Sequence, residues 1–310
     1  MADKALNRKQ ILVFLAVTFI ITYGIEIFMI LPMSGSTDIN EAMTAQSLSS
    51  MVMLAPAIGA ILARIITHEG FLGGNLYFSI DVKRNLKYFG IVWPLFAVFI
   101  ITGAILYFLI FPSRYDSNWG YAMAILNAQT DTSVTAAEVK KVMMQQVVIG
   151  ILFSPFLNII GCLGVEWGFR GYLLPKLLER FKAVPAVLID GLIWGIWYAP
   201  LVVMGQNYGT GYPGFPVTGI LAMCVFCMVT GSILSYVTIK TKSCIPAVLG
   251  HSMINGFSSI GIYFTSLENP YNVFLGPAST GLIGGICFIG FAVYLLWKLN
   301  KEEKNPLQSE

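Results

Sequence analysis

Charged residues are scarce in this sequence. They make up only 11% of the 310 residues, whereas hydrophobic residues make up 56%. A soluble globular domain carries about a quarter charged residues, so this composition excludes an ordinary soluble domain and predicts a protein of the lipid bilayer. The net charge of +3 follows from the topological bias described below, and it does not indicate nucleic acid as a partner.

Histidine is also scarce, and the cysteines lie where neither disulfides nor metal clusters are expected. The only histidines are His68 and His251, and no H-E-x-x-H occurs, which excludes zinc catalysis of that kind. All five cysteines fall in or beside apolar runs. Cys224 and Cys227 have C-x-x-C spacing but no second pair, so packing is the better interpretation. We therefore predict no metal and no cofactor.

Long apolar runs, by contrast, recur along the whole chain. A membrane-spanning helix needs about 20 such residues, and the fold class predicted is all-α, a multi-pass transmembrane bundle of about eight helices forming a single domain, residues 1–310. Pro155, Pro185 and Pro200 interrupt the fourth and fifth runs. Proline is tolerated in spanning helices where neighbouring helices satisfy the freed backbone groups. The predicted spans are 11–33, 48–67, 88–111, 147–163, 183–204, 217–239, 245–265 and 278–297.

The lysines and arginines give an independent test of this count. With a cytoplasmic N-terminus, the outer segments hold only Arg114, Lys140 and Lys141. Such a bias is what the positive-inside rule requires. We therefore expect a cell-membrane protein with both termini in the cytoplasm and the loops around Asn127 and Tyr208 outside. The remaining cations fall on the inner side: Lys4, Arg8, Lys9, Arg64, Lys83, Arg84, Lys87, Arg170, Lys176, Arg180, Lys182, Lys240, Lys242, Lys298, Lys301 and Lys304.

Two pairs of polar residues lie within apolar surroundings. Glu166 and Arg170 are four residues apart, as are His251 and Asn255, so each pair shares one face of a helix. Ionisable residues inside a membrane are costly and suggest a functional site. The alternatives stay open: a structural salt bridge for Glu166 and Arg170, and a hydrogen-bonded core histidine for His251.

These pairs belong to three sequence blocks with a distinctive order and spacing. The blocks are GVEWGFRGYLLP at 164–175, WGIWYAP at 194–200 and LGHSMIN at 249–255. Together they resemble the CPBP family, the membrane-embedded CAAX-type and bacteriocin-processing glutamic proteases. In that family the first block carries Glu-Glu-x-x-x-Arg, the second a His and the third His-x-x-x-Asn. The resemblance covers about residues 147–261, which we take as a CPBP-like core.

The resemblance implies a mechanism for an intact member. Its first Glu, assisted by the His of the second block, activates a water that attacks a peptide carbonyl near a prenylated or hydrophobic end, and the third block stabilises the oxyanion. Here the first Glu is replaced by Val165 and the His by Tyr198, whose phenol is a poor base at neutral pH. Four family positions are kept: Glu166, Arg170, His251 and Asn255.

These replacements predict a protease scaffold with a degenerate active site, which binds hydrophobic or prenylated peptides, or membrane-protein partners, without cleaving them. An active intramembrane protease using Glu166 or Asp190 with His251 is the alternative, although Asp190 also suits an ion pair with Arg170 or Lys182. A transporter is less supported, because we find no internal repeat. Near the outer end of the first run, Glu26 is expected to reach the membrane interface. The bound peptide and the oligomeric state are left open.

Overall fold

Helices build most of the part of this protein that the structure describes. The structure, a computed structural model, describes residues 2–70, 76–79, 81–130 and 134–304. No β-strand occurs in these ranges, although Tyr115 and Thr265 form an isolated antiparallel bridge. The helices are α1 (Ala2–Ile25), α2 (Ile39–Val52), α3 (Ala55–Ile66), α4 (Val82–Val92), α5 (Pro94–Ile110), α6 (Gly120–Thr130), α7 (Ala136–Leu152), α8 (Ser154–Leu157), α9 (Ile159–Glu166), α10 (Leu174–Leu178), α11 (Ala183–Trp197), α12 (Ala199–Val203), α13 (Val217–Thr241), α14 (Ile245–Phe257) and α15 (Ile286–Lys304).

Four helical segments within the described ranges are long and apolar enough to cross a bilayer. They correspond to the first, second, third and sixth predicted spans, and α11 is a shorter apolar helix in the fifth. The predicted fold class, an all-α multi-pass membrane bundle, is therefore confirmed. The four segments are Ala5–Met33, Ile39–Ile66, Leu86–Ile110 and Val217–Thr241.

The other predicted spans lie on shorter or interrupted helices. Pro155 and Pro200 each stand in the first turn of a new helix, α8 and α12 respectively. Proline lacks the backbone donor that would continue the preceding helix, and its ring clashes with the carbonyl four residues earlier, so the fourth and fifth runs break there. Of the seventh run only α14, 13 residues long, forms an α-helix, and in the eighth α15 begins at Ile286.

The chain divides into two compact units. The first comprises Met1–Tyr88, Ile159–Val248 and Ala292–Glu310, and the second comprises Phe89–Asn158 and Leu249–Phe291. A single domain and a core at 147–261 stay predictions, and that range includes residues of both units. The second unit has an aromatic centre in which Phe288 meets Phe96 edge-on, with ring centroids 5.0 Å apart.

The first unit contains a buried ion-pair cluster around Glu69. Lys176 Nζ lies 2.6 Å from Glu69 Oε2 and also donates to Gln10 Oε1, while Tyr172 donates to Glu69 Oε1. Burial alone would raise the pKa of the Glu69 carboxyl, but the hydrogen bonds from Lys176 and Tyr172 outweigh it and lower that pKa. The cluster ties α1 to α10 and to the segment after α3.

Glycines allow α11 and α13 to approach closely within the first unit. A Cβ atom added at Gly195 would lie 2.5 Å from the Cα of Cys224, and one added at Gly191 would lie 2.7 Å from the Cα of Met228. Small residues serve the same purpose at many helix contacts in membranes, because they let two backbones meet. This contact holds Asp190 and Ser235 next to each other.

Gly195→Ala is accordingly expected to destabilise the protein, by about 1–3 kcal/mol, because the new methyl group meets backbone rather than a movable side chain. Gly290→Ala is the matched control: that glycine is exposed on α15, with nothing within 4 Å of an added Cβ. There alanine should be neutral or slightly stabilising, since it favours the helix. Melting temperatures of both variants in one detergent provide the measurement, and an unchanged value for Gly195→Ala would contradict the close approach.

Candidate functional site

A buried arginine between two carboxylates lies at the centre of the first unit. Arg170 Nη1 donates to Glu166 Oε1 at 3.1 Å, and Arg170 Nε lies 3.2 Å from Asp190 Oδ2. All three side chains are fully buried. The pairing of Glu166 with Arg170 predicted from their spacing is confirmed, and Asp190 pairs with Arg170 rather than with Lys182.

The position of Arg170 depends on an irregular stretch of backbone. Residues Trp167–Leu173 form a π-helical segment between α9 and α10. Wider turns of this kind are frequent at functional sites. The guanidinium carbon lies 4.1 Å from the ring centroid of Trp194, within cation–π range, and a Cβ added at Gly231 would lie 2.8 Å from Nη2. Arg170 is thus enclosed by α11 and α13 as well as by its own segment.

Asp190 has a second partner on α13, since Ser235 Oγ lies 3.4 Å from Asp190 Oδ2 in hydrogen-bond geometry. Two carboxylates therefore share one guanidinium in a region without exposure to solvent. Such a group is stable only while its geometry is complete, because removing one partner leaves a buried charge uncompensated. This arrangement gives Arg170 a structural task, and a catalytic role for Glu166, Arg170 or Asp190 stays a prediction.

Val165 and Tyr198, which the sequence analysis interprets as replacements of family residues, also lie in the first unit. Val165 is fully buried near the end of α9. Tyr198 caps the C-terminal end of α11, with its ring edge-on to Trp197 at 5.1 Å between centroids. The Tyr198 hydroxyl can donate a hydrogen bond at this position.

The environment of Glu26 differs from the predicted one. It was expected to reach the membrane interface, but it is fully buried in the π-helical turn Glu26–Ile30 that follows α1. Both of its carboxylate oxygens are buried without a hydrogen-bond partner among the described residues. The sequence signal for this buried acid was the occurrence of an acidic residue within a predicted span. Its place near the end of the apolar run led to the wrong interpretation, because burial there depends on the neighbouring helices.

The third sequence block, residues 249–255, lies in the second unit. His251 is buried on α14, and Asn255, one turn later, is exposed. The same unit contains an apolar cavity of about 330 Å³, within the range of small-molecule ligand pockets. It is lined mainly by aliphatic and aromatic side chains, among them Ile101, Ala104, Phe108, Val147, Phe257 and Phe264.

Comparison with known proteins agrees with the sequence blocks. Residues 146–257 match a family model described as type II CAAX prenyl endopeptidase Rce1-like. Over 101 residues the chain is 27% identical to CAAX prenyl protease 2 of Methanococcus maripaludis, an alignment that covers 32% of this chain and 37% of that relative. The resemblance inferred from the three blocks is confirmed, over a range close to the predicted core.

Proposed function

We propose that this chain, whose residues 146–257 match the type II CAAX prenyl endopeptidases, is an intramembrane scaffold of that kind that binds hydrophobic or prenylated peptide segments, or membrane-protein partners, without cleaving them. One observation carries the proposal. The family positions for the base and its partner are Val165 and Tyr198, and the nearest acids, Glu166 and Asp190, both pair with Arg170.

The chemistry of these groups supports binding rather than turnover. A general base must take a proton from water, and its efficiency depends on a proton affinity matched to the working pH. Glu166 and Asp190 are both engaged by the Arg170 guanidinium, whereas Val165 has no acid–base group at all. Tyr198 keeps a polar hydroxyl that suits hydrogen bonding to a ligand.

The apolar cavity of the second unit supports a hydrophobic ligand. Its volume of about 330 Å³ suits an aliphatic or isoprenoid group, and apolar burial contributes about 25 cal/mol per Å² removed from water. His251 and Asn255 belong to the same unit as this cavity, and the resemblance implies that both residues take part in the function.

A cleavage and binding assay distinguishes this proposal from its alternative, an active protease using Glu166 or Asp190 with His251. We expect the purified protein to bind a fluorogenic prenylated peptide more tightly than the same peptide without the prenyl group, and to leave both intact. Glu166→Gln should then leave peptide cleavage at the same background level as in the parent protein. Sustained cleavage by the parent protein that Glu166→Gln abolishes would establish the alternative.

The proposed location is the cell membrane, with both termini in the cytoplasm, and cysteine labelling tests it. In a cysteine-free background we expect Ala128→Cys and Thr210→Cys to react with an impermeant reagent in intact cells, because these exposed positions follow the predicted outer loops. Thr210 is preferable to its neighbour Tyr208, which is buried. Glu303→Cys should react only after permeabilisation. Labelling of position 303 in intact cells would reverse the orientation.

A further inference from the structure

A short non-helical segment, residues 76–79, lies between α3 and α4 and pairs with two distant parts of the first unit. The backbone N–H of Tyr77 donates to the carbonyl of Gly171 at 2.9 Å, and the Tyr77 carbonyl accepts from the backbone N–H of Cys244 at 2.9 Å. A Cβ atom added at Gly171 would lie 3.5 Å from Cys244 Sγ and 3.6 Å from the Tyr77 carbonyl oxygen. The three stretches of chain therefore converge at one glycine, directly after Arg170.

Neither backbone group that pairs with Tyr77 has the usual α-helical partner. An α-helical turn would pair the Gly171 carbonyl with the amide of residue 175, but Pro175 has no N–H to donate. Cys244 immediately precedes α14, and its carbonyl accepts from the amide of Val248 at 3.0 Å. Its own amide is thus one of those at a helix start that have no acceptor within the helix. Both groups depend on a partner from elsewhere in the chain.

Side chains also hold the 76–79 segment in this place. The ring of Phe78 stacks on Trp167, with 5.2 Å between the centroids. Ser243 Oγ donates to the backbone carbonyl of Ser79 at 2.6 Å. A segment outside the helices that is held by individual contacts of this kind opens at a lower free energy than a packed helix does.

We infer that the Gly171 carbonyl, the Cys244 amide and the Trp167 ring form a binding site for the main chain of a hydrophobic peptide with an aromatic side chain, and that the 76–79 segment occupies this site until such a peptide displaces it. We call these three groups the pairing edge. The inference rests on the proposed function as a peptide-binding scaffold.

The chemistry of the pairing edge selects a peptide as its occupant. One residue satisfies both backbone groups with its own N–H and C=O, as Tyr77 does, and every amino acid except proline offers that pair. Main-chain pairing of this kind provides affinity in many peptide complexes, while side-chain contacts provide specificity. An aromatic ring on the following residue takes the place of Phe78 on Trp167.

Hydrogen exchange tests the displacement on the parent protein in detergent, without any substitution. The probe is the prenylated peptide of the binding assay with one phenylalanine in its sequence, added at saturating concentration. We expect the Tyr77 amide to exchange faster with peptide present, because the peptide takes its acceptor. The Cys244 amide should stay protected, because a peptide carbonyl replaces that of Tyr77. Bound peptide without faster exchange at Tyr77 would overturn the inference and leave the scaffold proposal standing.

A backbone-methylated peptide tests the main-chain pairing. An N-methyl group on the residue before phenylalanine removes the N–H that would donate to Gly171. We expect this peptide to bind the parent protein about tenfold more weakly, a difference equivalent to about 1.4 kcal/mol. The matched control carries its N-methyl group on the N-terminal residue of the peptide and should bind as the unmethylated peptide does. Equal affinities for all three peptides would overturn the inference.

Phe78→Ala should bind the unmethylated peptide about tenfold more tightly than the parent protein. It loosens the 76–79 segment, and the apparent affinity rises with the fraction of molecules whose pairing edge is open. The matched control is Phe181→Ala, an exposed phenylalanine of the same unit, which should bind as the parent does. Unchanged or weaker binding by a folded Phe78→Ala variant would overturn the assignment of this segment as the occupant.

The outcomes separate this inference from the proposed function. A parent protein that binds the prenylated peptide while its Tyr77 amide stays protected is a scaffold without the pairing edge. Failure of both the parent protein and Phe78→Ala to bind the peptide would overturn both proposals.

Discussion

Val165→Glu combined with Tyr198→His is expected to create peptide cleavage, whereas under the proposed function the parent protein cleaves no peptide. The double change supplies the carboxylate and imidazole that the sequence resemblance implies at these positions, next to the paired Glu166 and Arg170. Each single change should have little effect, because catalytic groups that act together are strongly non-additive. The new carboxyl lies beside Glu166, and repulsion between the two acids raises the proton affinity of one of them, as a general base requires.

The measurement compares the parent, both single variants and the double variant on one fluorogenic prenylated peptide. Adding His251→Ala to the double variant should lower the new activity by about 10²–10³-fold, the effect of losing one oxyanion donor. His251→Ala in the parent is the matched control and should change nothing. An inactive, folded double variant would show that the surrounding site lacks more than the base and its partner.

Arg170→Ala is expected to cause the largest loss of stability among single changes in the first unit. It removes the guanidinium that lies 3.1 Å from Glu166 and 3.2 Å from Asp190. Two fully buried carboxylates then lose the cation that they share, which costs about 3–5 kcal/mol in the free energy of unfolding. The loss of the contact with Trp194 adds to this effect.

The control for Arg170→Ala is Lys182→Ala, since Lys182 is exposed at the start of α11 and should contribute little. Lys176 would be a poor control, because it is buried and pairs with Glu69 at 2.6 Å. Arg170→Lys should recover only part of the loss, because lysine keeps the charge but lacks the planar fork that reaches two acids. Equal melting temperatures for Arg170→Ala and Lys182→Ala would contradict the buried arrangement.

Local patterns in the sequence determined the membrane class, four of the spans and the pairing of Glu166 with Arg170. Runs of about 20 apolar residues specify helices in lipid, because only internal hydrogen bonding satisfies the backbone there. The pairing of Glu166 with Arg170 follows from a spacing of one helical turn. The blocks that resemble the family also lie within short stretches, so the chain alone was sufficient to find them.

Only the tertiary structure decided which distant residues meet. Asp190 on α11 meets Arg170 of the π-helical segment, and Gly231 on α13 leaves room for the guanidinium, but no periodicity along the chain specifies that contact. The same is true of Glu26, whose sequence position was compatible with exposure at the interface but which the neighbouring segments bury completely. Helical spacing determines which residues share a face, whereas burial and charge pairing depend on what packs against that face.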